Sequence, residues 1–258
     1  MAKRKKTITA GRLVKTILYT APEPRDGERA RAEKSRMTTA AQKAMNDKTA
    51  RGKLEMLIAA NFTGRDLFVT LTYRDADLPA KRAGAVKNVR KLLKDLRKHR
   101  ALRGQVLRYI YTTEEKHGEA RLHHHLAINA VGRDIEAIRS LWPYGDIIDV
   151  EQIDENDFAA LAMYITKESA EGRPVGAQMW TRSRNLVKPK VETCFVPDDT
   201  TLAVPPGCDT LEREEKLTEY GSYSYIKYRL PPPKAGQMGF INGRYQKRHR
   251  RTTEQARP

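Results

Sequence analysis

The sequence predicts an α+β protein in which helices pack on a central, mostly antiparallel sheet of about five strands. Three observations predict this class: β-branched and aromatic runs of strand length, amphipathic runs with apolar residues every three or four positions, and their order along the chain. That order is strand, helix, strand, strand, helix, strand, helix, which is typical of helices layered on an antiparallel sheet.

The first predicted strand and helix lie between residues 66 and 100. Residues 66–73 form a short β-branched and aromatic run, which predicts a strand. Residues 84–100 place apolar side chains at spacings of three and four, which predicts a helix with one buried face. The other face of this helix is basic, and it carries Lys87, Arg90, Lys91, Lys94, Arg97 and Lys98.

A hairpin is predicted from residues 107–114 and 121–128, since a polar turn containing Gly118 separates two strand-like runs. A helix over 134–141, with Asp134 as its N-cap, a strand over 147–153 and a helix over 154–165 follow. Outside these elements, we expect a helix over 25–60, little regular structure beyond residue 170 except a strand at 223–228, and a basic tail from Lys234 that is disordered when free.

Composition points to a polyanionic partner. The chain has 49 Lys and Arg against 32 Asp and Glu, a formal net charge of +17. Nucleic acid is the commonest such partner, because each neutralised phosphate releases a condensed counterion, although a basic surface can also be merely solvated. Cys194 and Cys208 form no CxxC pair, which excludes a cysteine zinc site, and no run of about 18 apolar residues predicts a membrane span.

A histidine triplet in the second hairpin strand predicts a metal site. His123 and His125 lie on one face of the strand, about 7 Å apart along the chain, and His124 lies on the other. The neighbouring strand ends in Glu114 and Glu115, and either could supply a carboxylate. Such a donor set suits Mg²⁺ or Mn²⁺ in phosphoryl chemistry, and imidazole also suits Zn²⁺. The alternative is a surface cluster of histidines without a ligand.

Tyr164 and Lys167 lie on the predicted helix after the metal site. Residues three apart share a helix face, so the ammonium can stabilise negative charge that develops near the phenol. Many helices carry such a pair with the tyrosine at the edge of the core. Its position after the histidine strand of a basic protein makes a nucleophilic role the more informative hypothesis.

In order, three segments resemble motifs of the HUH endonuclease superfamily: residues 68–73 its first strand, residues 121–126 its histidine strand, and residues 164–167 its tyrosine motif. His124 stands where the family usually has a hydrophobic residue. The resemblance is strongest to replication initiators of small single-stranded DNA phages and related plasmids, and it favours Glu114 over Glu115 as the third ligand. It implies an HUH/Rep-like, ferredoxin- or RRM-like nuclease domain over 61–190, between a basic, partly helical extension over 1–60 and a Pro-rich, basic extension over 191–258.

The resemblance implies an enzyme that nicks single-stranded origin DNA through a 5′-phosphotyrosine and leaves a 3′-hydroxyl for rolling-circle replication. It implies Mg²⁺ or Mn²⁺ as cofactor, and DNA contacts from the basic helix face and from Arg121, Arg182 and Arg184. A host polymerase and helicase would be partners, in the cytoplasm of a bacterial host. The alternatives are a single-strand transposase or relaxase of the same superfamily, and a non-enzymatic DNA-binding protein.

Overall fold

A computed structural model describes residues 3–20, 40–114, 121–145, 148–167, 179–218, 221–232, 238–241 and 244–247. The chain divides into two compact units. The central unit is Glu28–Lys188, and the terminal unit combines Met1–Gly27 with Pro189–Pro258. The predicted α+β class is confirmed, but the described residues form two five-stranded antiparallel sheets where the sequence suggested one.

The elements are numbered in chain order. The strands are β1 (Lys3–Ala10), β2 (Leu13–Thr20), β3 (Leu67–Leu71), β4 (Tyr109–Glu114), β5 (His123–Ile128), β6 (Ile148–Gln152), β7 (Thr181–Arg182), β8 (Lys190–Val196), β9 (Asp209–Thr218), β10 (Gly221–Arg229), β11 (Met238–Ile241) and β12 (Arg244–Lys247). The helices are α1 (Ala40–Ala59), α2 (Arg82–Ala101), α3 (Asp134–Leu141) and α4 (Phe158–Ile165).

The central sheet has the order β6-β3-β5-β4-β7, and each neighbouring pair is antiparallel. Helix α2 connects β3 to β4, and α3 connects β5 to β6. This is the split β-α-β-β-α-β arrangement of ferredoxin-like folds, with β7 added at one edge. The fold expected from the resemblance is therefore present.

Two apolar clusters hold helices on the two faces of this sheet. Leu71 and Leu126 pack with Val89 of α2 and Ile138 of α3 in one cluster. The other cluster lies on the opposite face, where Ile110 and Ala127 of the sheet pack with side chains of α1 and α4. Successive strand residues alternate between faces, so the sequence assigns each strand residue to one helix layer or the other.

A buried ion pair joins the end of α2 to the start of α3. The Arg100 guanidinium lies 2.7 Å from the Asp134 carboxylate, and both side chains are buried. Asp134, predicted as the N-cap, is instead the first residue of α3, and Arg133 precedes it at φ 54°. Its carboxylate still accepts hydrogen bonds from the backbone N–H groups of Val131 and Gly132, so it orders the turn into the helix.

The terminal unit corrects two expectations. In the first 60 residues, only Ala40–Ala59 of the predicted helix lies within the described residues, and β1 and β2 form a hairpin through Gly11 at positive φ. Beyond residue 170, where little regular structure was expected, β8, β9 and the anticipated β10 complete a sheet of order β8-β1-β2-β10-β9. Both errors have one cause: these strands pair across most of the chain length, and local sequence patterns do not report such pairing.

The expected disorder from Lys234 onward is contradicted over part of its length, because the backbones of β11 and β12 pair with each other; the rest of that tail lies outside the described residues. Among the described residues, no helix combines the length and apolar character needed to cross a bilayer.

Candidate metal centre and tyrosine helix

Glu114, His123 and His125 converge on the α1/α4 face of the central sheet. In the β4–β5 register, Glu114 lies opposite His123, and Thr112 lies opposite His125. Directly paired residues share a face, and so do residues two apart on one strand, so all three side chains point the same way. Their ligand atoms all lie within 4.8 Å of one another. Glu115 lies outside the described residues.

Hydrogen bonds fix the orientation of both imidazoles. The Nδ1–H of His123 donates to the carbonyl oxygen of Arg121 at 2.8 Å. Nδ1 of His125 lies 3.1 Å from the hydroxyl of Thr70 on β3. Both Nε2 atoms are thereby turned toward Glu114, at 3.1 Å for His123 and 3.6 Å for His125. Metal-binding histidines commonly have their second nitrogen held in this way.

The donor set fits a divalent cation. Glu114 Oε1 and His125 Nε2 are buried, and neither has a hydrogen-bond partner in the structure. A buried polar atom without a partner is costly, and two that face each other across 3.6 Å suggest a missing ligand between them. One carboxylate and two imidazoles leave further coordination positions for water or phosphate oxygen.

The charge state of the three side chains suits a cation. Burial raises the pKa of Glu114, but hydrogen bonds from His123 and His125 and the charge of Lys167 outweigh burial and hold the pKa well below its usual range. Glu114 is therefore a carboxylate at neutral pH. Its hydrogen bond raises the pKa of His123 against the effect of burial. Because a ligand imidazole must be neutral, a bound cation would displace the proton that this pairing favours.

Tyr164 of α4 lies against this centre. Its ring meets the His125 ring edge-on at a centroid distance of 4.8 Å, and Phe68 stacks on the other side of His125 at 5.6 Å. The Tyr164 side chain is 40% exposed, so the phenol is open to a large substrate. Packing of Ala162 and Ile165 on the core holds the helix that presents it.

Lys167 connects the tyrosine with the carboxylate. Its ammonium lies 3.7 Å from the centroid of the Tyr164 ring and 3.3 Å from Glu114 Oε2. Burial lowers the pKa of Lys167, but a hydrogen bond with Tyr164 and the negative charge of Glu114 outweigh it, and the net shift is upward. Lys167 is therefore a cation beside the phenol.

His124 belongs to the other face of the sheet, as the alternation predicts. It is fully buried, its Nε2 lies 2.8 Å from the Tyr73 hydroxyl, and its Nδ1 lies 2.9 Å from the Thr113 hydroxyl. Burial, with the nearby charges of His123 and Arg82, lowers the pKa of His124 to about 3. It is a neutral core histidine with both nitrogens paired, which is how the chain accommodates a polar residue at that position.

The basic residues predicted to contact DNA occupy different places. Those of α2 are exposed, but α2 covers the face of the sheet opposite the candidate metal centre; they are Lys87, Arg90, Lys91, Lys94 and Arg97. Arg182 is exposed, and it lies opposite Ile110 on the same face as the centre. Arg184 is exposed in the following turn, and Arg121 forms an ion pair with Asp75.

Sequence reasoning missed the roles of Thr70 and Phe68 at this centre. Both lie on β3, and they contact His125 from the neighbouring strand. The signal was present in the alternation of residues 68–73, which puts Phe68 and Thr70 on one face. Only the pairing of Thr70 with His125 in the β3–β5 register shows that this face is that of the metal centre.

Comparison with known proteins supports the same part of the chain. Residues 66–169 match the family model of the replication-associated protein ORF2. No curated protein and no solved structure gives a match. The matched segment begins just before β3 and includes all of Glu114, His123, His125, Tyr164 and Lys167. Over residues 66–169, the chain belongs to this family of replication-associated proteins.

Proposed function

We propose that the protein is a metal-dependent endonuclease that nicks single-stranded origin DNA and initiates rolling-circle replication. The observation that carries this proposal is the approach of a partly exposed tyrosine ring to within 4.8 Å of a ligand-poised histidine, beside a lysine cation. Family membership supports a replication role, and the net charge of +17 supports a polyanionic substrate.

In the proposed reaction, the Tyr164 hydroxyl oxygen attacks the scissile phosphorus, and the bond from phosphorus to the 3′ oxygen breaks. The phenol loses its proton to solvent, and the departing 3′ oxygen gains one. The products are a 5′-phosphotyrosine and a free 3′-hydroxyl. Because one phosphodiester replaces another, the later rejoining step needs no nucleotide.

Lys167 has two tasks in this scheme. Its ammonium favours the ionised form of the phenol, whose ordinary pKa is near 10, and it offsets charge that develops on the phosphate. Glu114, His123 and His125 would hold Mg²⁺ or Mn²⁺. Such an ion would act as a Lewis acid on a phosphate oxygen. Thr70 and Arg121 keep the two imidazoles oriented for this purpose.

Tyr164 is the one tyrosine in the sequence of α4. A second strand transfer would therefore need another protomer or attack by water. The sequence contains no GxxxxGK[ST] phosphate loop, so duplex opening would come from supercoiling or a host helicase, and the 3′-hydroxyl would serve a host polymerase.

The test is adduct formation with labelled single-stranded DNA and Mn²⁺, followed on a denaturing gel. We expect an adduct with the wild-type chain and none with Tyr164→Phe. Tyr109→Phe is the matched control, since Tyr109 is a partly exposed tyrosine of the same unit and lies on the other face of the sheet. An adduct that persists in Tyr164→Phe would assign the nucleophile to another residue.

Metal removal separates the enzyme from a non-enzymatic binder. EDTA should abolish the adduct while much of the DNA affinity persists, because phosphate contacts from lysine and arginine need no divalent ion. His125→Ala should behave like EDTA treatment. If DNA binding were lost in parallel with cleavage in that variant, the histidines would have a structural role.

A further inference from the structure

The terminal unit presents one sheet face on which aromatic and basic side chains alternate. In the register of β8, β1, β2 and β10, Phe195 lies opposite Arg4, Arg4 opposite Tyr19, and Tyr19 opposite Tyr223. Paired residues share a face, so these four side chains form one row across four strands. Lys6 follows two positions along β1 on the same face. We call Arg4, Lys6, Tyr19, Phe195 and Tyr223 the aromatic face.

Side-chain contacts agree with this assignment. The Arg4 guanidinium lies 5.5 Å from the centroid of the Phe195 ring. Further along the same face, the Lys15 ammonium lies 4.7 Å from the centroid of the Tyr225 ring. The Phe195 side chain is 59% exposed although it is large and apolar, Arg4 is exposed, and Tyr19 and Tyr223 are partly exposed.

Charge on this face is arranged by strand. On β1, β2, β8 and β10, every charged side chain that shares it is basic, namely Arg4, Lys6, Lys15, Lys227 and Arg229. The acidic residues of the face, Glu212 and Glu214, lie on the edge strand β9, where they form ion pairs with Lys227 and Lys216. The rest of the face is therefore positive.

The other face of the same sheet has a different character. There Leu18 and Ile226 pack with Leu202 and Val204, which lie in the segment between β8 and β9. This face has its own apolar cluster, whereas the exposed aromatic rings belong to the opposite one. Exposed planar rings next to cations stack on the bases and attract the phosphates of unpaired nucleic acid, and this combination is the common basis of single-strand binding.

We infer that the aromatic face is a second DNA site, which binds single-stranded DNA by base stacking on Phe195, Tyr19 and Tyr223 and by phosphate contacts from Arg4 and Lys6. Single strands fit because duplex bases are already stacked on one another. Binding here needs neither a divalent cation nor Tyr164, so the inference does not rest on the proposed nicking reaction.

The test is binding of the full-length chain to a fluorescent oligothymidylate of about 16 nucleotides, a typical upper site size for such sheets, in EDTA. We expect Phe195→Ala to weaken binding roughly 5- to 100-fold, as the loss of one stacked base does elsewhere. Leu217→Ala is the matched control, since Leu217 is an exposed apolar residue of the same sheet on the opposite face. Circular dichroism would verify that both variants fold.

A charge pair gives an independent arm. Lys6→Gln removes a cation from the aromatic face, and Lys5→Gln removes its chain neighbour on the opposite face. We expect Lys6→Gln to weaken binding more and to lower the salt dependence by about one released counterion. Equal effects of the two substitutions would overturn the proposal, because they would mean attraction by net charge alone.

A strand without bases distinguishes stacking from phosphate contact. An abasic oligonucleotide of the same length should bind Phe195→Ala and wild type equally, whereas the oligothymidylate should discriminate between them. Photocrosslinks from halogenated bases should fall on peptides that contain Tyr19, Phe195 or Tyr223. Wild-type affinity of Phe195→Ala for the oligothymidylate, crosslinks confined to residues 66–169, or tighter binding of the matching RNA would each overturn the assignment.

Discussion

The hydroxyl of Thr70 decides which nitrogen of His125 faces Glu114. Thr70→Val keeps the side-chain shape but removes the partner of Nδ1, so the imidazole loses one constraint on its orientation. We expect a loss of about 10- to 100-fold in Mn²⁺ affinity or in adduct formation, the usual cost of losing a residue that orients a metal ligand. Isothermal titration with Mn²⁺ measures the first quantity. Thr193→Val, at an exposed position of β8, should leave both unchanged.

His124 offers a test of the assignment of faces. His124→Leu would give the position the apolar character usual in the superfamily, but it leaves the buried Thr113 hydroxyl without its partner and weakens the position of the Tyr73 hydroxyl. We expect a cost of about 1–3 kcal/mol in the free energy of unfolding, measured with urea, and no change in cation affinity. Adding Thr113→Val and Tyr73→Phe should recover much of the stability.

A fall in Mn²⁺ affinity with His124→Leu, at unchanged folding, would contradict that assignment, because it would make His124 a ligand or a direct support of one.

At the residue scale, the sequence alone was sufficient for much of the candidate centre. The alternation of β5 separates His123 and His125 from His124, and spacing of three links Tyr164 with Lys167. It could not decide between Glu114 and Glu115, because the choice depends on the register of β4 against β5, which the pattern of one strand does not contain. The same limit concealed Thr70, whose partner lies 55 positions away.

At the element scale, the ion pair between Arg100 and Asp134 fixes the end of α2 against the start of α3. Asp134→Asn leaves a buried guanidinium without its counter-charge, and we expect a loss of about 3–5 kcal/mol in the free energy of unfolding. Asp77→Asn is the matched control: Asp77 pairs with Arg74 near the surface, where such pairs contribute about 0–1 kcal/mol. Chemical denaturation of both variants would compare them, and equal costs would contradict the role given to the buried pair.

Elements within 66–165 were predictable because each carries a strong local pattern. Helix α3 was expected over 134–141 and spans those residues, and the amphipathic α2 extends the predicted 84–100 by a few residues. The terminal sheet lacks such patterns. Strand β9 has charged residues on both faces, as exposed edge strands often do, and β1 begins with a basic run that resembles a flexible arm.

At the scale of the whole molecule, the chain divides its chemistry between two units. The central unit carries the candidate metal centre and the tyrosine helix, and the terminal unit carries the aromatic face. The sequence boundaries at 60/61 and 190/191 treat the two ends as separate extensions, whereas the structure joins them in one sheet. Short-range patterns cannot register this pairing, because β1 and β8 are separated by almost the entire central unit.

A cation that binds only the folded chain must raise its stability. At a free Mn²⁺ concentration about 100 times Kd, we expect about 2.7 kcal/mol of added stability, visible as a higher unfolding midpoint that EDTA reverses. His125→Ala should lose this response, while His99→Ala, on the basic helix α2, should keep it. An equal response from His125→Ala and the wild-type chain would show that the stabilising ion binds elsewhere.

The measurement that tests the central claim most directly is mass spectrometry of the DNA-linked peptide after a reaction with single-stranded origin DNA and Mn²⁺. The account predicts one modified peptide, from α4, with the phosphodiester on the hydroxyl of Tyr164. A nucleotide attached to any other side chain, with Tyr164 unmodified, would contradict it.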